Sequence, residues 1–170
     1  MQSRTPAGNE SAGQSTNADK RTDSPELDHV GVLVRDLPSA VAAWVDRFNV
    51  DVFRRFEAPD LELSAVFLDV AGAAIELYTL HDEAALDRAL GARPAALDHV
   101  ALRLRGPGGP ELSGCVIRGP GRPEPIAAPI QLAGAMHVWT EPPGIDVLLQ
   151  LITPSAESIG VLEHQPLKEE

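Results

Sequence analysis

The stretch that decides the fold is Leu27 to Val34, which reads Leu-Asp-His-Val-Gly-Val-Leu-Val. It returns in the second half of the chain as Leu97 to Leu104, Leu-Asp-His-Val-Ala-Leu-Arg-Leu. A second pair closes each half: Ala74 to Thr79 reads Ala-Ile-Glu-Leu-Tyr-Thr, and Leu148 to Thr153 reads Leu-Leu-Gln-Leu-Ile-Thr. Self-similarity at a fixed spacing is typical of a duplicated structural unit. The sequence therefore predicts two copies of one module.

The first copy has the pattern of a βαβββ module. His29 to Val34 is rich in β-branched residues, which favours a strand. A helix is predicted next, because Asp36 can cap it, Pro38 is tolerated in its first turn and Asn49 can end it. Four apolar residues recur at helical spacing, namely Val41, Trp44, Val45 and Phe48. Three strand-like runs follow, at 52–56, 61–70 and 74–80.

The second copy departs from the first where its helix should lie. A short connecting helix is predicted from Asp82 to Leu90, ended by Gly91. After the strand at His99, Gly106 to Pro110 stands in place of the helix, which we expect to be shortened or lost. Further strands are predicted at 116–118, 131–140 and 145–152. The expected fold class is α+β, with two curved antiparallel sheets facing a shared cavity.

Composition limits the chain's partners and setting. The 170 residues carry a formal charge of −11, which disfavours nucleic acid. No apolar run approaches the ~20 residues of a membrane span, and a lone cysteine without a signal peptide indicates a cytoplasmic location. We expect a disordered polar tail at 1–24, one domain at 26–154 and a polar C-terminal segment at 155–170. Within the domain, module one is 27–80, the linker helix 82–90 and module two 97–154. A homodimer contact or the C-terminal segment is expected to cover the missing helix.

Paired modules that open on Asp-His-Val and close on a carboxylate or amide resemble the vicinal oxygen chelate superfamily. This superfamily includes glyoxalase I, methylmalonyl-CoA epimerase, extradiol dioxygenases and the bleomycin and fosfomycin resistance proteins. The resemblance implies that the first and last strands of each module donate one metal ligand apiece. The matching positions are His29, Glu76, His99 and Gln150. The epimerase-like pattern has its glutamine in the first module and its glutamate in the second, so the two are exchanged here.

Strand periodicity supports the same residues independently of the family. Alternation places His29 with Gly31 and Leu33 on one face, opposite a uniformly apolar face. Glu76 lies among apolar neighbours, and an unpaired buried carboxylate is too costly to retain. Two imidazoles, one carboxylate and one amide oxygen suit Zn²⁺, Ni²⁺, Co²⁺, Fe²⁺ or Mn²⁺. Asp28 and Asp98 precede the histidines and are interpreted as structural. Three further histidines, His81, His137 and His164, have no repeat partner and are interpreted as structural or surface residues.

The predicted chemistry is proton transfer next to a carbonyl. A divalent ion stabilises a developing enolate, and a buried carboxylate removes the proton. Glu76 is the candidate base, and the resemblance to epimerases suggests Asp60 or Glu62 as the opposed acid. Arg103 and Tyr78 are candidate substrate-binding residues.

The interpretation is therefore a metal-dependent isomerase or epimerase of a small oxygenated substrate. No phosphate-cradling loop or basic cluster supports coenzyme A binding. A glyoxalase-type lyase, an iron dioxygenase with a two-histidine, one-glutamate site, and a metal-free protein that sequesters a drug-like ligand are the alternatives.

Overall fold

The computed structural model describes residues 24–105, 112, 115–122, 124–145 and 147–154. The elements within these ranges are β1 Glu26–Val34, α1 Leu37–Phe48, β2 Asp51–Ala58, a 3-10 helix Pro59–Leu61, β3 Leu63–Val70, β4 Ala73–Leu80, α2 Glu83–Leu90, β5 Ala95–Arg103, β6 Val116–Arg118, β7 Ile130–Leu132, β8 Ala135–Glu141 and β9 Leu148–Pro154. The predicted βαβββ order of the first module and the linking helix are confirmed. The C-terminal segment, the Gly106–Pro110 stretch, His164 and nearly all of the N-terminal tail lie outside the described residues.

The helix α1 begins and ends where the sequence predicts. The Asp36 carboxylate accepts a hydrogen bond from the Ser39 backbone N–H at 3.0 Å. Asn49 ends the helix in the left-handed conformation, with φ of 51°. Phe48, the last residue of the predicted apolar stripe, is 58% exposed. Phe48 is the last helical residue, and its ring packs on Trp44 of the same helix rather than on the sheet.

One continuous curved sheet joins the two modules, in the strand order β2-β3-β4-β1-β5-β9-β8-β6, with β7 beside β8. The first strands of the two modules, β1 and β5, pair antiparallel at its centre. Within each module the first and last strands pair in parallel, β1 with β4 and β5 with β9. The remaining pairs are antiparallel. The predicted α+β class with a cavity shared by both modules is confirmed. The expectation of two antiparallel sheets is wrong, because β1 and β5 join the modules into one sheet and each module contains a parallel pair.

The run predicted as a single strand at 131–140 is instead a hairpin of β7 and β8. Ala133 and Gly134 form its two-residue turn, with φ of 49° and 78°. Two successive positive φ angles match the twist of a hairpin. Alanine is uncommon at such a position, so the sequence did not reveal the turn. The strand predicted from Ile145 begins three residues later, at Leu148, because Pro142 to Ile145 form a hydrogen-bonded turn.

The two faces of the first module have separate apolar clusters. On one face α1 covers Val34, Val66, Leu68 and Leu77. On the other face Leu33, Leu63 and Tyr78 pack with Leu86 and Leu90 of α2. The face that carries His29 and Glu76 is therefore enclosed at one end by α2, and it opens onto a cavity between the modules.

We expect Asp36→Ala to lower the free energy of unfolding, because the Ser39 N–H loses its acceptor. Urea denaturation measures the change. Asp46→Ala is the matched control on the same helix, where loss of an exposed acid near the C-terminal end should be neutral or slightly stabilising. Equal losses in both variants would contradict the capping role.

Candidate functional site

The site is built on two rows of residues that cross the joined sheet. In the first row, Glu76 on β4 pairs with Gly31 on β1, which pairs with His99 on β5. In the second row, His29 on β1 pairs with Ala101 on β5, which pairs with Gln150 on β9. Each small residue lies between two of the four predicted ligands. The duplication and the pairing of β1 with β5 therefore bring all four residues to one part of the sheet.

Gly31 makes room for one of the histidines. A Cβ atom at this position would overlap the His99 imidazole ring, so the ring lies directly against the Gly31 backbone. Ala101, in the equivalent place of the second row, is fully buried. Glycine is required here by the close approach of a side chain, and not by an unusual backbone angle.

Three ligand atoms converge on one point. The His29 Nε2 and His99 Nε2 atoms are 3.2 Å apart. The Glu76 Oε2 atom is 3.4 Å from His29 Nε2 and 3.3 Å from His99 Nε2. The histidine side chains are 4% and 1% exposed, whereas that of Glu76 is 14% exposed. Glu76 is thus the member of the cluster that is most open to the cavity.

An aspartate orients each imidazole. The Asp28 carboxylate is 2.7 Å from His29 Nδ1, and the Asp98 carboxylate is 2.9 Å from His99 Nδ1. Both aspartates fall at shifts in the β1–β5 register, and such bulges turn a side chain from its regular direction. Each Nδ1–H can therefore donate to its aspartate, which leaves the Nε2 lone pair facing the cluster. Carboxylates orient metal-binding histidines in the same way.

The cluster retains protons when no cation is bound. Burial alone would raise the pKa of Glu76, but hydrogen bonds with His29 and His99 lower it to about 2. Burial alone would lower the pKa of His99, but hydrogen bonds with Asp98 and Glu76 raise it to about 9. The pKa of His29 is also raised, by Asp28 and Glu76 against the effect of burial. At neutral pH an ionised carboxylate therefore lies beside a protonated imidazole.

The side-chain amide oxygen of Gln150 is available to bind a cation. Its Nε2 atom is 2.8 Å from His137 Nδ1. Its Oε1 atom is buried and has no hydrogen-bond partner among the described residues. Burial lowers the pKa of His137 to about 4, so the ring is neutral and Nδ1 can accept from the amide. A buried amide oxygen without a partner is costly, and a cation would satisfy it.

The donor set fits a divalent transition-metal ion. Ligands about 2.0–2.1 Å from a tetrahedral zinc ion lie about 3.3–3.4 Å from one another. The three separations in the cluster are 3.2, 3.3 and 3.4 Å. Neutral imidazoles, a carboxylate and an amide oxygen also suit nickel, cobalt, iron or manganese. His29, Glu76, His99 and Gln150 are therefore the residues that could hold the ion.

The cavity above the cluster has a volume of about 120 Å³. Part of its lining is apolar and aromatic, namely Phe56, Leu61, Leu63, Phe67, Trp139 and Ile152, and polar or charged side chains line the rest. Phe67 and Trp139 make edge-to-face contacts with the imidazole rings. The ring centres of Phe67 and His29 are 5.3 Å apart, and those of Trp139 and His99 are 6.3 Å apart. The buried indole N–H of Trp139 has no described acceptor. The cavity therefore offers apolar contacts and hydrogen-bonding groups to a small molecule.

The structure brings some of the other predicted residues to this cavity. Tyr78 lines the cavity. The pKa of the Tyr78 hydroxyl is raised well above its usual value, mainly by burial and secondly by the charge of Asp98. Arg103 also lines the cavity, but its guanidinium binds the Asp28 carboxylate. Asp60 is exposed on the 3-10 helix, and the Glu62 carboxylate binds Arg122 at 3.1 Å. Neither acid is among the residues that line the cavity.

Sequence reasoning missed residues that support the ligands. Asp28 and Asp98, which the sequence analysis interprets as structural, lie at the two shifts in the β1–β5 register and contact the histidine rings. Their recurrence before both histidines was the available signal. His137 has no counterpart in the first module, so the repeat gave no indication of its contact with Gln150. His81 is a surface residue, one of the two roles expected for it, and its ring lies 2.7 Å from the Ser64 hydroxyl.

Comparison with known proteins supports the resemblance. Residues 28–106 match the family model of the Glyoxalase/Bleomycin resistance protein/Dioxygenase superfamily. No curated protein matches the chain. A methylmalonyl-CoA epimerase from Mycobacterium tuberculosis has a similar fold, with a TM-score of 0.59 at 19% identity, over 79% of this chain and 91% of that one.

Other solved structures share the fold. A hypothetical protein from Bacillus halodurans C-125 gives a TM-score of 0.60 at 16% identity, over 86% of this chain and 99% of that one. A Streptomyces coelicolor methylmalonyl-CoA epimerase variant in complex with 2-nitronate-propionyl-CoA gives 0.55 at 18% identity, over 76% and 97%. Identities this low establish the fold, and the chemistry must be argued from the site itself.

We expect Gly31→Ala to destabilise the protein by about 1–3 kcal/mol, because the new methyl group displaces the His99 ring. The same substitution in a His99→Ala background should cost far less, because the space is then free. Denaturant unfolding of the four proteins gives the coupling between the two sites. Equal costs in both backgrounds would show that the ring does not lie on Gly31.

Proposed function

We propose that this chain of the vicinal oxygen chelate superfamily is a metal-dependent isomerase or epimerase that moves a proton next to a carbonyl group. The observation that carries the proposal is the convergence of His29 Nε2, His99 Nε2 and Glu76 Oε2 at the base of a cavity. A divalent cation held by these residues and Gln150 would supply Lewis acidity toward a substrate oxygen. The remaining steps belong to the chain's own side chains.

We assign Glu76 as the base that removes the proton from the substrate. Its side chain is more exposed to the cavity than either histidine, and two imidazoles hold one of its oxygens in place. The other nearby carboxylate, Asp28, is bound by His29 and Arg103. His29 binds the Oδ1 atom of Asp28 and Arg103 binds its Oδ2 atom, so both oxygens of Asp28 are already engaged. Glu76 therefore removes the proton from the substrate carbon at its Oε atoms and returns it.

The lining of the cavity favours a single base. Asp60 and Glu62, the predicted opposed acids, would have to move with the 3-10 helix to reach a substrate. Among the described residues that line the cavity, the carboxylates are Glu76 and Asp28, and Asp28 is bound by His29 and Arg103. Proton removal and return on one carboxylate support isomerisation or exchange directly. Inversion at the carbon would require the substrate to change the face that it presents to Glu76.

The apolar walls contribute to the chemistry by excluding water. In a poorly hydrated cavity, charge that develops on a substrate oxygen interacts more strongly with fixed positive groups. The Trp139 N–H, which has no described partner, is a donor for such an oxygen. A protein that sequesters drug-sized ligands generally has a pocket of roughly 300–1,000 Å³. The cavity volume of about 120 Å³ supports a small substrate instead.

We expect the purified protein to bind one zinc, cobalt or manganese ion per chain, and to incorporate solvent deuterium beside the carbonyl of 2-oxoadipate. His29→Ala and His99→Ala should lose the metal. Glu76→Gln should lose the exchange even when metal is supplied in excess, because no base remains. Metal analysis and NMR in deuterium oxide are the measurements, with methylmalonyl-CoA, the substrate of the structurally similar epimerases, as a second compound.

His81→Ala is the matched control, since it removes an exposed histidine outside the cluster, and it should keep both metal and exchange. Asp60→Asn and Glu62→Gln test the opposed-acid assignment in the same assay. Exchange that persists in Glu76→Gln would refute the assigned base. A protein that takes up no metal, or that consumes oxygen with the substrate, would refute the proposed reaction.

Metal binding should release a proton at pH 7, because a ligand must be neutral and the pKa of His99 without metal is about 9. The apparent affinity should rise about tenfold per pH unit and level off near pH 9. Calorimetry in two buffers of different ionisation enthalpy counts the protons. In Asp98→Asn the hydrogen bond that raises the pKa is weakened, so the plateau should move to lower pH. An affinity independent of pH between 6 and 9 would contradict this assignment.

A further inference from the structure

A bulge in β2 changes the face to which one arginine belongs. Val52 pairs with Leu68, whereas Arg54 pairs with Phe67 and Arg55 with Val66, so the register shifts between Val52 and Arg54. Regular alternation would put Val52 and Arg54 on one face. Because of the bulge, Arg54 lines the cavity with Phe67, and Arg55 lines the opposite surface beside α1. Bulges commonly re-aim side chains next to active sites.

Two aromatic rings hold the Arg54 guanidinium at the cavity. Its central carbon is 5.4 Å from the centre of the Phe56 ring and 5.3 Å from that of Phe67. The Phe67 ring is in turn 5.3 Å from the His29 ring. The distance from the Arg54 guanidinium to the Phe67 ring and the distance from the Phe67 ring to the His29 ring are each 5.3 Å. The guanidinium therefore lies at most about 11 Å from the His29 ring. Arg54 can therefore reach one end of a small substrate whose other end is bound at His29.

The guanidinium has unused capacity for hydrogen bonds. Among the residues that the structure describes, Arg54 has no carboxylate partner, whereas Arg103 at the same cavity is bound to Asp28. A guanidinium presents five donors in a planar fork that matches an oxyanion. The chain carries a net charge of −11, so a free cation at the cavity is not a reflection of general basicity. Packing on aromatic rings keeps the fork in place without using its donors.

We infer that Arg54 binds an oxyanion at one end of the substrate, so that the substrate class is an oxygen-chelating carbonyl compound with a short apolar body and a terminal carboxylate or phosphate. The chelating end rests on the proposed function, but the Arg54 subsite does not. The cavity orders the three parts of such a molecule: the His29–Glu76–His99 cluster at the base, apolar walls between, and Arg54 at the far end.

The test compares 2-oxoadipate with 2-oxohexanoate, which lacks the terminal anion, by calorimetry on the metal-loaded protein. Phosphonooxypyruvate distinguishes a phosphate end from a carboxylate end. Wild type should bind at least one of the two compounds with a terminal anion, 2-oxoadipate or phosphonooxypyruvate, about tenfold or more tightly than 2-oxohexanoate. A difference of this size is expected for a charged hydrogen bond. Arg54→Met should abolish this preference. Arg55→Met, the same charge change on the opposite face of the same strand, should keep it.

A second measurement needs no metal. Inorganic phosphate is titrated into the metal-free protein while arginine Nε–H signals are followed by NMR, with assignments from the two variants. The Arg54 signal should shift saturably and the Arg55 signal should not. Equal responses of the two arginines, or a preference that survives Arg54→Met, would overturn the inference. A specific Arg54 response in a protein that binds no 2-oxo acid with metal would instead overturn the proposed function and leave the anion subsite standing.

Discussion

The antiparallel pairing of β1 with β5 is the constraint on which the rest of the site depends. It joins the modules into one sheet and sets Gly31 opposite His99 and Ala101 opposite His29. The parallel pairs then add Glu76 and Gln150 to the same two rows. A slip of one residue in this pairing would send His99 to the other face and leave Glu76 with a single imidazole. Register therefore determines the chemistry here as much as residue identity does.

The site combines groups that are unfavourable separately and compatible together. A carboxylate out of water is costly unless it is paired, and two imidazoles oriented by aspartates provide the pairing. The amide oxygen of Gln150 stays without a hydrogen bond while His137 engages the amide nitrogen. Glu76 remains partly open to the cavity, so one group can serve both the cluster and a substrate. Arg54 adds the selectivity that an apolar cavity lacks.

Much of this arrangement could be predicted from the sequence, because a repeat constrains more than local propensity does. The recurrence of Asp-His-Val and of the closing strands predicted the fold and pointed to His29, Glu76 and His99, whose side chains converge. What alternation could not supply were the departures from it. The bulges at Asp28 and Asp98 bring carboxylates to the histidine rings, the bulge before Arg54 re-aims a guanidinium, and the Ala133–Gly134 turn divides one apparent strand. Each departure depends on backbone hydrogen bonding between strands, which the residue pattern does not encode locally.

The meeting of His29 with His99, 70 residues apart in the chain, also limits the order in which the molecule can assemble. Until β1 finds β5, Glu76 has a single imidazole from its own half, and His99 lacks the backbone surface on which it lies. Long-range strand pairing must overcome loop-closure entropy before its contacts contribute. A fragment containing either half alone would hold only part of the donor set. The complete centre is thus a structural signature of a chain in which both halves have folded and docked.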